Sequence, residues 1–287
     1  MKSSEQLQPD EQRRTEQIPE RRAVLDNIRR QYGILYFSML PEGEAQKQGF
    51  TDDTQLYREQ FKASGTDVRI RTVHALMENL PSTVEEEGVI IGGAPVNVRD
   101  ENPKYRQAVN RVMEFTQAMA KKNIPFLGVC LGHQIIGEVY GGENTVVLNP
   151  KGREFGRIKL TLTSEGKENK LFSGITETLY AYQAHRYIID EKRVPADAKV
   201  TVTGGKSVVQ GMKIGDNIVT VQFHPEENPA GMQALAKLRR EGLIRDGVVS
   251  MDTFPEFLES MGGETAGQQI LANFVEHFVH QRTEKKV

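Results

Sequence analysis

Short apolar runs alternate with amphipathic segments over the first half of the chain. The runs are bounded by Gly, Pro or polar residues, as expected for strands buried in a sheet, and the segments between them carry apolar residues at helical spacing. This pattern predicts strands at 34–40, 67–73, 88–91 and 124–130 and helices at about 52–63, 103–122 and 134–140. Strands and helices in alternation favour a mainly parallel sheet flanked by helices.

Beyond Gly142 the apolar segments are shorter and follow one another with hairpin-like breaks. They predict strands at 157–163, 178–183, 199–204, 208–214 and 217–223, then a helical excursion at about 230–262 and a closing helix at 266–281. The second half therefore adds antiparallel strands to the sheet. Ligands of such sheets bind outside the carboxyl ends of the strands, so chemistry is expected after 88–91, 124–130 and 217–223.

Composition fits an ordinary globular protein. The chain has 287 residues, 38% hydrophobic and 26% charged, and its net charge of -2 lacks the basic excess typical of nucleic-acid or anionic-membrane binders. Residues 1–30 are polar, so we expect a solvated arm there and a single domain at 31–287. No apolar run is long enough to span a bilayer, and no secretory signal is evident at the start. We therefore expect a cytoplasmic protein.

Cofactor and metal sites are not predicted. A single cysteine excludes an internal disulfide and a Cys-rich metal centre. Gly205-Lys206-Ser207 ends like a phosphate loop, but it lies between predicted strands, so a hairpin tip is the expected structure. The chain also lacks a dinucleotide fingerprint, and we expect it to use no cofactor.

The one cysteine lies in a distinctive context. Cys130 has glycines two residues away on both sides, Gly128 and Gly132, and lies between a predicted strand and a predicted helix. This is the layout of a nucleophile elbow, a tight turn in which neighbouring side chains would clash and which presents the nucleophile outward. The N–H of Leu131 would then lie beside the sulfur as an oxyanion donor. A buried core cysteine is the simpler alternative, but the paired glycines disfavour it.

A cysteine nucleophile requires a base and a group that orients the base. Among six histidines, His224 ends a predicted buried strand and is followed by Pro225 and Glu226. In extended chain, residues i and i+2 face the same side, so Glu226 can reach one imidazole nitrogen while the other faces Cys130. The sequence therefore predicts a Cys130–His224–Glu226 triad.

The segments GVCLGHQ and VQFHPE together resemble the class I glutamine amidotransferases, a family with a Cys-His-Glu triad. GREFG at 152–156, the LFSGITETLYAYQAHR segment and the closing GQQILANFVEHF resemble, within that family, the glutaminase domain of GMP synthetase. The likeness extends over most of 33–280. It implies a flavodoxin-like three-layer α/β sandwich, with the antiparallel strands and extra helices as additions.

The resemblance also implies a chemistry. Cys130 would attack the side-chain amide of glutamine and form a γ-glutamyl thioester, releasing ammonia, while His224 shuttles protons and Glu226 orients it. Leu131 would give one oxyanion N–H, and Gly93 or Ala94 the other, because Gly92-Gly93-Ala94-Pro95 departs from the usual family pattern. Gln134 would help to hold the substrate. The backbone of Ala184, His185 and Arg186 would meet its amino-acid end, although QAHRY also departs from the family pattern.

Three functions remain open at this point. The first is a glutaminase that passes ammonia to a separate synthetase partner, since the chain has no visible acceptor domain. The second is a freestanding hydrolase or transferase of γ-glutamyl peptides or amines with the same triad. The third is a regulatory module without turnover. The long loop before 52–63 and the 230–262 excursion are expected to form a lid or a partner surface near the site.

Overall fold

The computed structural model describes residues 31–52 and 54–281. The strands are β1 (Tyr32–Ser38), β2 (Val68–His74), β3 (Gly88–Ile91), β4 (Phe126–Val129), β5 (Val146–Leu148), β6 (Glu154–Leu162), β7 (Thr178–His185), β8 (Tyr187–Ile189), β9 (Ala198–Gly204), β10 (Ser207–Ile214) and β11 (Ile218–Val221). The helices are α1 (Glu44–Lys47), α2 (Gln55–Ala63), α3 (Pro103–Ala120), α4 (Leu131–Gly141), α5 (Ser164–Glu168), α6 (Pro229–Leu238), α7 (Arg240–Arg245), α8 (Phe254–Glu259) and α9 (Gly267–Phe274). The predicted arm at 1–30 lies outside the described residues, so its separation from one domain at 31–287 stays a prediction.

A large central sheet organises the described part of the chain. Its strand order is β2-β1-β3-β4-β11-β10-β9-β6-β7. The five strands from β2 to β11 pair in parallel, and the four that follow them pair antiparallel. The parallel sheet with an antiparallel addition is thus confirmed. Strands β5 and β8 form a separate two-stranded sheet, which the sequence pattern did not predict.

Hydrophobic clusters cover both faces of the sheet. Along β1, Leu35 and Phe37 belong to one cluster, together with residues of α3 and α4. The alternating residues Ile34 and Tyr36 belong to the other cluster, which includes residues of α2 and α9. Because successive side chains of a strand point to opposite faces, a strand buried on both faces reads as a continuous apolar run. The predicted three-layer α/β sandwich is confirmed.

The helical excursion packs on the antiparallel part of the sheet. It consists of three short helices, α6, α7 and α8, where the sequence predicted one helical region. Gly247, with a φ of 68°, ends α7 in a left-handed turn that a continuous helix does not allow. Met232, Leu243 and Phe254 pack against Phe155 of β6, in a third cluster. The excursion is therefore anchored close to the carboxyl edge of the sheet.

Other differences from the predicted elements are small. The loop after β1 contains the one-turn helix α1. The closing helix α9 passes into a π-helical turn at Val275–Val279. Gly205 and Lys206 form the turn between β9 and β10, so the phosphate-loop-like segment is a hairpin tip, as predicted. None of the helices within 31–52 and 54–281 is both long and apolar enough to cross a membrane.

Candidate active site

Strand β4 delivers Cys130 to the carboxyl edge of the sheet. Cys130 is the N-cap of α4 and has φ 51° and ψ -100°, a left-handed backbone that residues with a Cβ rarely adopt. Its N–H donates to the carbonyl of Val221 at the end of β11, at 2.9 Å. The residue is only 4% exposed. Strain of this kind is stored at functional sites, where surrounding structure holds it in place.

The two glycines around Cys130 leave no room for side chains. A Cβ at Gly128 would lie 2.7 Å from the carbonyl oxygen of Gly132, and a Cβ at Gly132 would lie 2.1 Å from that of Ile91. Both contacts are with backbone atoms, which cannot rotate away. The tight elbow expected from the sequence is therefore present, and it depends on both glycines.

His224 and Glu226 follow β11, next to Cys130. The N–H of His224 donates to the carbonyl of Tyr182 in β7 at 2.8 Å, which fixes its backbone. Its Nδ1 lies 2.8 Å from Oε1 of Glu226, and their side chains are 12% and 10% exposed. Nε2 of His224 has no hydrogen-bond partner among the described residues. Helix α2 supports this segment, because Nε2 of Gln60 donates to the carbonyl of Glu226 at 3.1 Å.

Neighbouring groups shift the pKa of the His224 imidazole. Burial by itself lowers the pKa of His224, but the negative charge of Glu226 and the nearby thiol of Cys130 outweigh burial and hold the pKa well above its ordinary value. This shift favours the cationic form of the imidazole, which has a proton to give. The three residues predicted from the motifs thus lie together, in an arrangement suited to acid–base chemistry at a sulfur nucleophile.

His133, in the same motif as Cys130, is not a second candidate base. It is fully buried, and its Nδ1 lies 2.8 Å from Oγ1 of Thr220. Burial lowers the pKa of His133 to about 3, so it stays neutral. Its location under the sheet makes it a packing residue.

Two backbone segments border the sulfur on opposite sides. Leu131 is the first residue of α4, and the first N–H groups of a helix have no acceptor within the helix. Across the site, a Cβ at Gly93 would lie 3.1 Å from Cβ of Cys130 and 2.7 Å from Cε1 of His224. Gly93 and Ala94 both line the cavity beside Cys130. The site therefore brings all three oxyanion candidates close to the nucleophile.

Two cavities meet at Cys130. The larger, a cleft of about 800 Å³, is lined by Gln134, Ala184, His185 and Arg186 and by the excursion. We call this cavity the basic cleft, because it is lined by the cationic residues Arg153, Arg186, Lys237, Arg239, Arg240 and Arg245. The smaller pocket, of about 70 Å³, lies on the His224 side and includes Glu226, Glu227 and Tyr57. A substrate anion is favoured in the first cavity, while the second carries carboxyl groups.

The predicted substrate-binding residues differ in what they present to the basic cleft. Nε2 of Gln134 donates to the carbonyl of Tyr187 at 3.0 Å and to Gln222 at 3.3 Å, so this amide braces the cleft wall. The side chain of His185 is buried against Glu154, with 3.2 Å between Nε2 and Oε2, which leaves its backbone toward the cleft. Arg186 is 48% exposed and lies 3.5 Å from Asp246. Ala184 lines both cavities.

Arg239 was not predicted from the sequence. It follows α6 and lines both the basic cleft and the small pocket. Burial and the charge of Arg153 lower the pKa of its guanidinium, and within the described chain no carboxylate pairs with it at 4 Å or less. An arginine in this state is a ready partner for a substrate carboxylate. Nothing in the local sequence identifies it, because its place depends on how the excursion packs.

Glu227 is the second residue that the motifs did not reveal. It is 6% exposed, and its Oε2 has no hydrogen-bond partner among the described residues. Burial, followed by the charge of Glu226, raises the pKa of Glu227 to about 7. The acidic pair directly after a buried strand in VQFHPEE is the sequence signal that marks it.

Comparison with known proteins places this geometry in a family. Residues 53–238 match the model of the family described as glutamine amidotransferase class-I. The chain is 32% identical over 160 residues to a subunit of glutamine-hydrolyzing GMP synthase from Methanosphaera stadtmanae, covering 53% of this chain and 75% of that protein. The same-named protein of Sulfolobus acidocaldarius is 32% identical over 166 residues, covering 56% and 80% of the two chains.

Solved structures show the same fold. A glutamine amidotransferase from Thermotoga maritima superposes with a TM-score of 0.68 at 23% identity, covering 87% of this chain and 99% of the other. A putative GMP synthase subunit from Thermoplasma acidophilum superposes with a TM-score of 0.59 at 18% identity, covering 90% and 99%. With the match to the family model over more than half of its length, the chain belongs to the class I glutamine amidotransferase family.

Proposed function

We propose that this protein hydrolyses the side-chain amide of glutamine through a γ-glutamyl thioester on Cys130. The observation that supports this most strongly is the strained backbone of Cys130 beside the enclosed His224–Glu226 pair. Family membership supports the same reaction, since relatives of this chain carry the description glutamine-hydrolyzing. Each residue of the triad then has a distinct task.

In the first half-reaction Cys130 passes its thiol proton to His224, and the sulfur attacks the amide carbon. The negative charge that develops on the carbonyl oxygen is stabilised by backbone N–H groups, one from Leu131 and one from Gly93, whose added Cβ would lie 3.1 Å from Cβ of Cys130. The imidazolium of His224 gives its proton to the amide nitrogen. The carbon–nitrogen bond then breaks, and ammonia and the thioester are formed.

In the second half-reaction water takes the place of the sulfur. His224, now neutral, accepts a proton from the attacking water, the carbon–sulfur bond breaks to release glutamate, and His224 passes that proton to the sulfur to restore the thiol. Glu226 holds the imidazole through Nδ1 in both steps and stabilises its cationic form. The net reaction consumes glutamine and water and forms glutamate and ammonia.

The basic cleft is the side from which glutamine enters. Among its cations, Arg239 also lines the small pocket beside Cys130 and has no carboxylate partner on the described chain, so it would bind the α-carboxylate. The backbone of Ala184 to Arg186 and the braced Gln134 form the opposite wall. The side-chain amide then reaches the sulfur from the cleft, and the leaving amine points toward His224.

We further propose that the ammonia serves a separate synthetase partner. The support is the description of the relatives as subunits of GMP synthase. Adding such a synthetase, loaded with its other substrates, is expected to raise the rate of glutamate release. An unchanged rate at saturating partner would remove the partner from the proposal but leave hydrolysis intact.

A second substrate class has one observation in its favour. The basic cleft holds several cations in about 800 Å³, more space and charge than the single α-carboxylate of glutamine requires. Larger γ-glutamyl compounds with a second carboxylate match that cleft. Comparing turnover of glutamine with that of γ-glutamyl peptides distinguishes the two classes. The strained backbone of Cys130 disfavours a non-catalytic module, because such strain destabilises the fold and a purely structural domain does not need it.

A further inference from the structure

The small pocket on the His224 side of Cys130 is lined by polar atoms that have no partner. Oε2 of Glu226, Oε2 of Glu227 and the hydroxyl of Tyr57 are all buried and make no hydrogen bond among the described residues. The two glutamates are 7% and 6% exposed and the tyrosine 2%. Buried polar groups are normally hydrogen-bonded, and leaving one unpaired is costly, so three beside one cavity indicate a ligand that pairs with them.

The three groups lie close together. Tyr57, Glu226 and Glu227 all line this one small pocket, and burial followed by the charge of Glu226 raises the pKa of Tyr57 well above its ordinary value. The pocket also contains Cys130 and His224. Its volume of about 70 Å³ admits a few molecules of the size of water or ammonia.

Carboxyl groups and two basic residues, His224 and Arg239, line the pocket, and among the described residues Glu227 is the carboxyl left without an ion pair. Asp52 also lines it, but its carboxylate is engaged by Arg58 at 2.5 Å and by Thr54. The remaining carboxyls are Glu226, which supports His224 through its other oxygen, and Glu227, which pairs with no described cation. Arg239 lies at the border with the basic cleft, where the α-carboxylate proposed to bind there would neutralise it.

We propose that the pocket formed by Glu226, Glu227 and Tyr57 is a binding site for a small protonated amine, and that ammonium is its occupant during turnover. An ammonium ion has four N–H donors and no acceptor, which matches two carboxylate oxygens and a phenol oxygen. Identifying ammonium as the natural occupant rests on the proposed hydrolysis of glutamine. The amine site itself rests on the unpartnered atoms and the cavity.

Glu227 can give a proton to ammonia in this pocket and accept one from ammonium. Its pKa of about 7 keeps part of the population protonated near neutral pH. Ammonia released at His224 takes that proton, forming an ammonium–carboxylate pair in the pocket. In reverse, bound ammonium returns its proton to Glu227, and neutral ammonia attacks the thioester carbon. The carbon–sulfur bond then breaks and glutamine re-forms. His224 takes a proton from the attacking nitrogen and passes it to the sulfur.

Binding is tested without turnover in the Cys130→Ala variant. Ammonium chloride is expected to raise its unfolding midpoint more than sodium chloride at equal concentration, with a saturable difference, since a ligand that binds the folded state stabilises it. Adding Glu227→Gln or Tyr57→Phe should abolish or reduce that difference, while adding Glu101→Gln, an exposed glutamate, should not. An equal response to the two salts, or the same response with and without Glu227→Gln, would overturn the proposal.

Turnover supplies a second, independent readout. With glutamine and ¹⁵N-ammonium, the ratio of ¹⁵N-labelled glutamine to glutamate formed should saturate with ammonium in the wild-type chain. In Glu227→Gln that ratio is expected to fall at least about tenfold and to rise linearly, because a charged hydrogen-bonding partner has been lost. A ratio that is linear in the wild type, or unaltered by the substitution, contradicts the assignment. Absence of glutamate release from the wild type would refute the hydrolysis alone, since the binding experiment stands without it.

Discussion

Nδ1 of His224 and Oε1 of Glu226 lie 2.8 Å apart, in a position from which water is largely excluded. The two residues are separated only by Pro225, so the strand that places one also places the other. The carboxylate keeps the imidazole oriented and holds its pKa well above the ordinary value, against the effect of burial. We propose that this contact determines how His224 acts on Cys130.

Replacing Glu226 by Gln should separate orientation from charge. The amide can still hydrogen-bond to Nδ1, but it no longer favours the imidazolium, so we expect the pKa of His224 to fall. Glutamate release should drop by about 10²–10⁴-fold, as for loss of a group that supports acid–base catalysis. NMR titration of His224 and initial rates measure the two effects, with Glu101→Gln as the control. A variant with the wild-type rate would show that Glu226 has no part in the reaction.

Gly93→Ala tests how closely the loop after β3 approaches the nucleophile. The added methyl would lie 2.7 Å from Cε1 of His224 and must displace the imidazole or Cys130. We expect glutamate release to fall by about 10²-fold, since small displacements of reacting groups have effects of that size. Gly242→Ala is the control, because its nearest new contact is 3.6 Å away at a side-chain end. Equal rates for both variants and the wild type would mean that Gly93 does not border the reacting groups.

Glu227→Gln should alter the pH dependence of stability. Because burial raises the pKa of Glu227 from 4.5 to about 7, the unfolded chain loses this proton first as pH rises. The free energy of unfolding therefore falls progressively between about pH 4.5 and 7. Above that range the loss is complete and amounts to roughly 3 kcal/mol. Urea unfolding from pH 4 to 8 should show the variant gaining stability over the wild type across that window. A difference that is constant with pH would contradict the assigned cause.

Arg239→Gln should weaken substrate binding more than chemistry. Loss of a charge-assisted hydrogen bond to the α-carboxylate is expected to raise KM for glutamine by about 10–100-fold and to change kcat much less. The wild type should also prefer glutamine over its α-amide, and the variant should lose that preference. Arg69→Gln, at the opposite end of the parallel strands, is the matched control. If the preference persists in Arg239→Gln, another residue binds the carboxylate.

Much of the fold could be predicted because local pattern and packing agree. Strand 88–91 has the predicted bounds, because a short apolar run that ends at Gly92-Gly93 strongly favours a buried strand. The elbow could be predicted for a similar reason: residues 128 and 132 touch backbone atoms and admit only glycine. Such constraints leave a mark in the sequence itself.

The rest depends on contacts between distant segments. Arg239 comes to the basic cleft because the excursion packs through Phe254 and Met232 onto β6 and β7, and no local pattern specifies that docking. The buried side chain of His185 is likewise set by Glu154, opposite it on β6. Pairing across the sheet determines which face a residue presents, so the motif alone could not distinguish backbone from side-chain contact.

We propose that the sulfur of Cys130 carries the reaction. The measurement that tests it most directly is glutamate release from glutamine by the purified chain, beside its Cys130→Ala variant. The wild type is expected to form glutamate and ammonia in equal amounts, and the variant to form neither above the rate in buffer. Glutamate release by Cys130→Ala at the wild-type rate would contradict the account.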